Sequence, residues 1–210
     1  MKKYMNISEF KKLPIMAIVR GLNIEIIEPI IETACLSGLK AIEFTMNTPD
    51  AANLIRKAVS VSNGRIAIGA GTVLSIASMR LALDSGATFI VSPCLIEEVV
   101  KYCARHLIPV FPGALSPKEV FTASECGASM VKIFPANRFG PQYFKELKGP
   151  LDKTELLACG GVTPENIKSY FTSGASAVAF GSSIFKHDYL IAGDFAKIAD
   201  AIKNLIIAKE

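Results

Sequence analysis

Eight short apolar runs recur along the chain, and a stretch of helical periodicity follows nearly every one. The runs are 15–20 (IMAIVR), 40–46 (KAIEFTM), 65–71 (RIAIGAG), 89–93 (FIVSP), 108–113 (IPVFPG), 130–136 (MVKIFPA), 155–161 (ELLACGG) and 177–182 (AVAFGS). Each is rich in β-branched or aromatic residues and almost continuous, which is the signature of a parallel strand covered on both faces. Start signals mark several of the helices between them. TPDAANLIRKAV, SPKEVFTASECG and TPENIKSYFTSG each open with Ser or Thr before Pro, which places Thr48, Ser116 and Thr163 as N-caps, and the last two close on glycine. LSIASMRLALDSG, IEEVVKYCARHL and the final DFAKIADAIKNLIIAKE supply three more helices. Eight strand-plus-helix units of about 26 residues each predict an α/β fold, a single (β/α)₈ TIM barrel filling residues 1–210. An open doubly wound sheet is the alternative, and the regular repetition favours closure.

Composition narrows the function. Half of the 210 residues are hydrophobic, enough for a sizeable core, and the formal charge is only +4 with the lysines scattered. That balance predicts neither nucleic acid nor a membrane surface as partner, and it suits a small anionic substrate. Five cysteines (Cys35, Cys94, Cys103, Cys126 and Cys159) are widely spaced without a CxxC pair, as expected of reduced thiols. The N-terminal MKKYMNISEFKKLP lacks a signal-peptide core, and no apolar stretch reaches the roughly 18 residues of a membrane span. A soluble cytoplasmic protein is the expectation.

Charge on the strands gives the first chemical signal. Lys40, Arg65 and Glu155 stand at the starts of their runs, on the bottom rim of a barrel. Arg20, Glu43 and Lys132 stand late or internally, towards the carboxyl ends where barrel enzymes build their active sites. A buried Lys132–Glu43 ion pair is the plain structural alternative, and such a pair adds little net stability. Catalytic use is favoured, because a desolvated amine loses its preference for the charged form. An amine that is normally protonated below ~10.4 then becomes a nucleophile, and with a neighbouring carboxylate it can form imines.

The other half of the predicted site is an anion cradle. Gly160 and Gly161 end the seventh run, and Gly181, Ser182 and Ser183 end the eighth, where loops of this fold often bind phosphate. Gly69, Gly71 and Thr72 offer close approach and a hydroxyl after the third run. His106 and His187 lie away from strand ends, which argues against a metal-dependent epimerase, and no Walker A or dinucleotide fingerprint follows the first run.

The ordered set PIMAIVRG, AIEFTMNTP, IGAGTVL, VSP, PVFPG, VKIFPA, GGVTPEN and FGS, spanning about 13–208, resembles the class I aldolases of 2-keto-3-deoxy-6-phosphogluconate and 4-hydroxy-2-oxoglutarate. The resemblance implies a metal-free and cofactor-free barrel, usually trimeric. It implies Lys132 as Schiff-base lysine and Glu43 as general acid/base, with Arg20 and Thr72 on the pyruvate half and Pro93 and Phe134 as pocket walls. Gly160, Gly161, Gly181 and Ser182 would hold phosphate, with Ser183 able to take the place of Ser182.

Two positions depart from the phosphogluconate pattern. Asn47 stands where many members carry arginine, and Cys159 where the phosphogluconate enzymes carry a threonine linked to the C4 epimer. MNTP and KIFP…FGPQY resemble the phosphogalactonate branch, so Asn47 and Cys159 join the expected substrate-binding set. Two other readings stay open: a sugar-phosphate isomerase or synthase on the same barrel, and a non-catalytic protein that binds phosphorylated sugar acids.

Overall fold

The structure, a computed structural model, describes residues 4–209, so Met1–Lys3 and Glu210 of the terminal stretches quoted above lie outside the described residues. The apolar runs form one sheet of nine parallel strands: β1 Ile15–Val19, β2 Ala41–Thr45, β3 Ala67–Gly71, β4 Ile90–Val91, β5 Val110–Phe111, β6 Gly113–Ala114, β7 Val131–Ile133, β8 Leu156–Cys159 and β9 Ala177–Phe180. Neighbours run in the order β5-β4-β3-β2-β1-β9-β8-β7-β6. The two ends of that order, β5 and β6, are one stretch of chain parted by Pro112, so the sheet curls into a barrel. The predicted fifth strand is therefore two pieces. Proline has no N–H to give to a ladder, and Pro112 takes part only as an acceptor, its carbonyl receiving the Lys132 N–H at 2.8 Å.

Helices α2 Ile27–Leu36, α3 Ala51–Ser62, α4 Ile76–Asp84, α5 Glu97–Arg105, α6 Pro117–Glu125, α7 Gly140–Lys148, α8 Ile167–Thr172, α9 His187–Ile191 and α10 Phe195–Ala208 follow the strands, and α1 Ile7–Phe10 precedes them. Of the three predicted N-caps only Ser116 holds, in a capping box with Glu119. Helix α3 starts later, after Asp50 in the left-handed region (φ 57°). Thr48 instead spends its hydroxyl elsewhere. Helix α8 starts at Ile167, because Asn166 accepts from the Thr163 N–H through Oδ1 (2.9 Å) and donates to the Gly161 carbonyl (2.8 Å).

Strand side chains alternate between two cores, as the pleat requires. On β7, Val131 and Ile133 pack outward against the helices. Met130, one pleat back, packs into the barrel interior with Met16, Phe89, Phe111 and Leu157. Phe10 of α1 plugs the interior from below and meets Phe111 edge-on at 6.0 Å. The base also gathers the charges expected there: Lys11 Nζ donates to Glu155 at 2.9 Å, and Arg65 pairs with Glu32. Among the described residues no helix is long and apolar enough to cross a membrane.

Candidate active site

Lys132 is the middle residue of β7 and Glu43 the middle residue of β2. Counting round the closed sheet, each strand is four neighbours from the other by the β1 side. They therefore face each other across the barrel, and both are buried, at 7 % and 1 % exposure. Glu43 Oε2 has no hydrogen-bond partner among the described residues. Burial pushes the Glu43 carboxyl above its ordinary range, and the charges of Lys132 and Arg20 pull it back only in part. A buried, unpaired carboxyl oxygen costs stability, which is what a group reserved for proton transfer looks like. The Lys132 amine lies 5.4 Å from the Phe134 ring centroid.

The glycines of β3 divide the labour. A Cβ on Gly69 would fall 2.2 Å from the Phe89 ring, so this glycine makes room for the core rather than for a ligand. A Cβ on Gly71 would fall 2.5 Å from Glu43 Oε1, so its bareness seats the carboxylate. Thr72 follows with φ 54°, a left-handed conformation that costs a β-branched residue ~1–3 kcal/mol and clusters at ligand sites. Pro93 is half-buried, its carbonyl against Gly113, where a Cβ would come within 2.1 Å.

Above this level opens a cavity of about 430 Å³, lined by Arg20, Phe134, Cys159, Gly160, Gly161, Gly181, Ser182 and Ser183 among others. Eight of the sequence-predicted residues thus meet in one space. Lys132 and Glu43 lie deeper in the barrel. Cys159 ends β8, nearly fully buried; burial pushes its thiol up, against the opposing pull of the Lys132 charge, so it stays protonated. Gly160 and Gly161 take φ of 105° and 70°, a turn that side chains resist. Gly181 accepts from the N–H groups of Ile184 (3.0 Å) and Phe185 (2.9 Å), a tight turn that leaves Ser182 exposed. Ser183 donates its hydroxyl to the Val162 carbonyl at 2.7 Å and ties the two loops together.

Asn47 is not brought into the cavity; it stands exposed on the turn after β2. His106 and His187 are both exposed, and among the described residues no group of three or more His, Cys, Asp or Glu could hold a metal ion. Sequence reasoning missed the apolar walls Leu22, Phe185 and Leu190: Leu22 and Leu190 lie outside the strand and phosphate patterns, and Phe185 closes the stretch FGSSIF, whose glycine and serines alone carry the phosphate signal.

A parallel barrel with a desolvated amine and acid facing each other beneath a glycine-rimmed mouth is that of a class I aldolase, a carbon–carbon lyase. The chain belongs to the KDPG and KHG aldolase family, whose model matches residues 7–201. It is 35 % identical to the 2-dehydro-3-deoxy-6-phosphogalactonate aldolase of Escherichia coli over 83 % of this chain and 86 % of that one. It is 32 % identical to the 2-dehydro-3-deoxy-phosphogluconate aldolase of Haemophilus influenzae over 95 % and 94 %. Among solved structures it is similar to one described as native KDPGal, with a TM-score of 0.88, 30 % identity and coverage of 98 % and 96 %.

Proposed function

We propose that this chain cleaves a 2-keto-3-deoxy-6-phospho sugar acid to pyruvate and glyceraldehyde 3-phosphate, with Lys132 as the imine-forming amine and Glu43 as the acid/base. The single observation that carries this is the buried pair facing across the barrel, with an unpartnered oxygen on Glu43. Lys132 Nζ attacks the keto carbon, and Glu43 passes a proton as the carbinolamine loses water. The iminium then withdraws electrons while Glu43 takes the proton of the C4 hydroxyl. The C3–C4 bond breaks, the aldehyde departs, and the enamine is protonated at C3. Hydrolysis of the new imine releases pyruvate and frees Lys132. Positioned proton transfer of this kind contributes about 10²–10⁴ in rate.

Arg20 meets the pyruvate carboxylate, with Thr72 beside it and Pro93 and Phe134 as walls. Gly160, Gly161, Gly181 and Ser182 hold the phosphate, supported by the positive φ of the glycine pair and the exposed Ser182. Ser183, its hydroxyl engaged, contributes its backbone N–H. The phosphogalactonate relative and Cys159 on the cavity wall support the galactonate epimer, and the KHG members of the family support cleavage of 4-hydroxy-2-oxoglutarate to pyruvate and glyoxylate at the same site. The family likeness supports a homotrimer working in the cytoplasm in carbohydrate breakdown, with residues 1–210 as one catalytic domain and no cofactor. Incubation with pyruvate and borohydride followed by peptide mass mapping tests the reading. A reduced adduct on Lys132, lost in Lys132→Ala, is expected. Folded protein that yields no adduct overturns imine chemistry and favours an isomerase or a binding protein.

A further inference from the structure

Thr48 lies three residues after Thr45, on the turn that leaves β2. Both are buried, Thr45 at 1 % and Thr48 at 7 % exposure. Their hydroxyls lie 3.0 Å apart, and Thr48 Oγ1 also accepts from the Gly21 N–H at 3.0 Å. Burying a hydroxyl costs stability unless it is paired, and valine would fill either place with the same shape. The hydroxyls therefore need a reason.

Helix capping is not that reason, since Asp50 precedes α3 and Thr48 makes no cap bond. The bond to Gly21 is informative because of what Gly21 follows. Its N–H belongs to the peptide that joins it to Arg20, the cation on the cavity rim. Gly21 is exposed with φ 67°, and a Cβ there would touch nothing within 4 Å, so no neighbour packs over its Cα. The Thr48 hydroxyl is the hydrogen-bond partner of its N–H.

We infer that Thr48 is a positioning residue: steadied by Thr45, its hydroxyl fixes the Arg20–Gly21 peptide and thereby aims Arg20 at the substrate carboxylate. This rests on the reading of Arg20 given above. The arrangement joins β1 to β2 at the mouth, so the strand that bears Glu43 also sets the cation that orients the keto acid.

The test uses the synthetic direction, in which pyruvate and glyceraldehyde 3-phosphate are varied separately. Thr48→Val should raise KM for pyruvate about two- to tenfold, the worth of one hydrogen bond, while KM for the aldehyde and kcat change less than about twofold. Thr48→Ser should restore the pyruvate KM. Should Thr48→Val fail to fold, Thr48→Ala removes the same acceptor without an added methyl and is read in the same way.

Arg20→Ala closes the cycle. It should raise the pyruvate KM by itself, and adding Thr48→Val to it should raise that KM no further. A pyruvate KM unmoved by Arg20→Ala refutes the carboxylate role of Arg20, and with it this inference. A Thr48 effect that persists undiminished on top of Arg20→Ala, or that strikes both substrates alike, refutes the positioning role alone.

Discussion

Gly71→Ala adds one methyl group at the end of β3. The new Cβ would sit 2.5 Å from Glu43 Oε1, about 0.9 Å short of the 3.4 Å at which ordinary contact begins. The backbone at Gly71 does not adopt a positive φ, so alanine itself fits the strand and even gains roughly 0.5–1 kcal/mol of backbone entropy over glycine. The carboxylate is what must move. A displacement near 1 Å in a catalytic group can cost about 10²-fold, so kcat should fall about a hundredfold while the melting point stays within a few degrees. Gly69→Ala is the matched control two residues earlier. Its Cβ would strike the Phe89 ring at 2.2 Å, an overpacking that costs about 1–3 kcal/mol. That is roughly 2–4 °C of melting point per kcal/mol for a chain of this size. Its kcat should survive. Pyruvate release coupled to lactate dehydrogenase and a thermal melt read both variants. A folded Gly71→Ala enzyme with kcat within threefold of the parent would show that the Glu43 carboxyl does not need its seat, and the acid/base assignment would fall with it.

Two further outcomes follow from burial. Because burial holds the Glu43 carboxyl above its ordinary 4.5, the folded protein keeps a proton there that the unfolded chain has released. Its contribution is full below 4.5 and is lost as pH climbs through the raised value. Glu43→Gln lacks this loss, so its stability should gain on the parent by ~1.4 kcal/mol per pH unit in the window that opens at 4.5; melts across pH read the gap, and a constant gap contradicts the burial argument. Phe10→Ala should cost about 3–5 kcal/mol by opening the plugged base of the barrel. Denaturant titration measures it, and unchanged kcat in the folded fraction is expected because α1 lies at the end away from Lys132.

Much of this architecture was legible in the residues. A strand buried on both faces must be apolar throughout, so the runs announced themselves, and for the same reason Lys132 and Glu43 stood out. The fifth strand read as one because IPVFPG is as apolar as its neighbours; only the missing N–H of Pro112 splits it, and that matters in the pairing rather than in the pattern. Thr48-Pro49 and Thr163-Pro164 carry the capping signature, yet their threonines start turns that delay the helix by a few residues. Local chemistry cannot tell those cases from Ser116-Pro117, which does cap. The rim glycines Gly160, Gly161 and Gly181 showed by position, whereas Gly69 and Gly71 look alike in sequence and differ only in which side chain leans over them. Asn47 was expected at the substrate and stands exposed on its turn. Leu22, Phe185 and Leu190 carry no mark of their own, since an apolar wall is defined by the space it borders.

The facing placement of β2 and β7 sets the distance between amine and acid by the girth of the barrel, not by any loop. Arg20, Leu22 and the turns at Gly160 and Gly181, which the proposed reaction sets against the substrate, hang on the mouth instead. On that proposal, reactivity and discernment reside in separate layers of the barrel. Substitutions at the rim would then change which aldehyde is accepted while Lys132 and Glu43 keep their spacing.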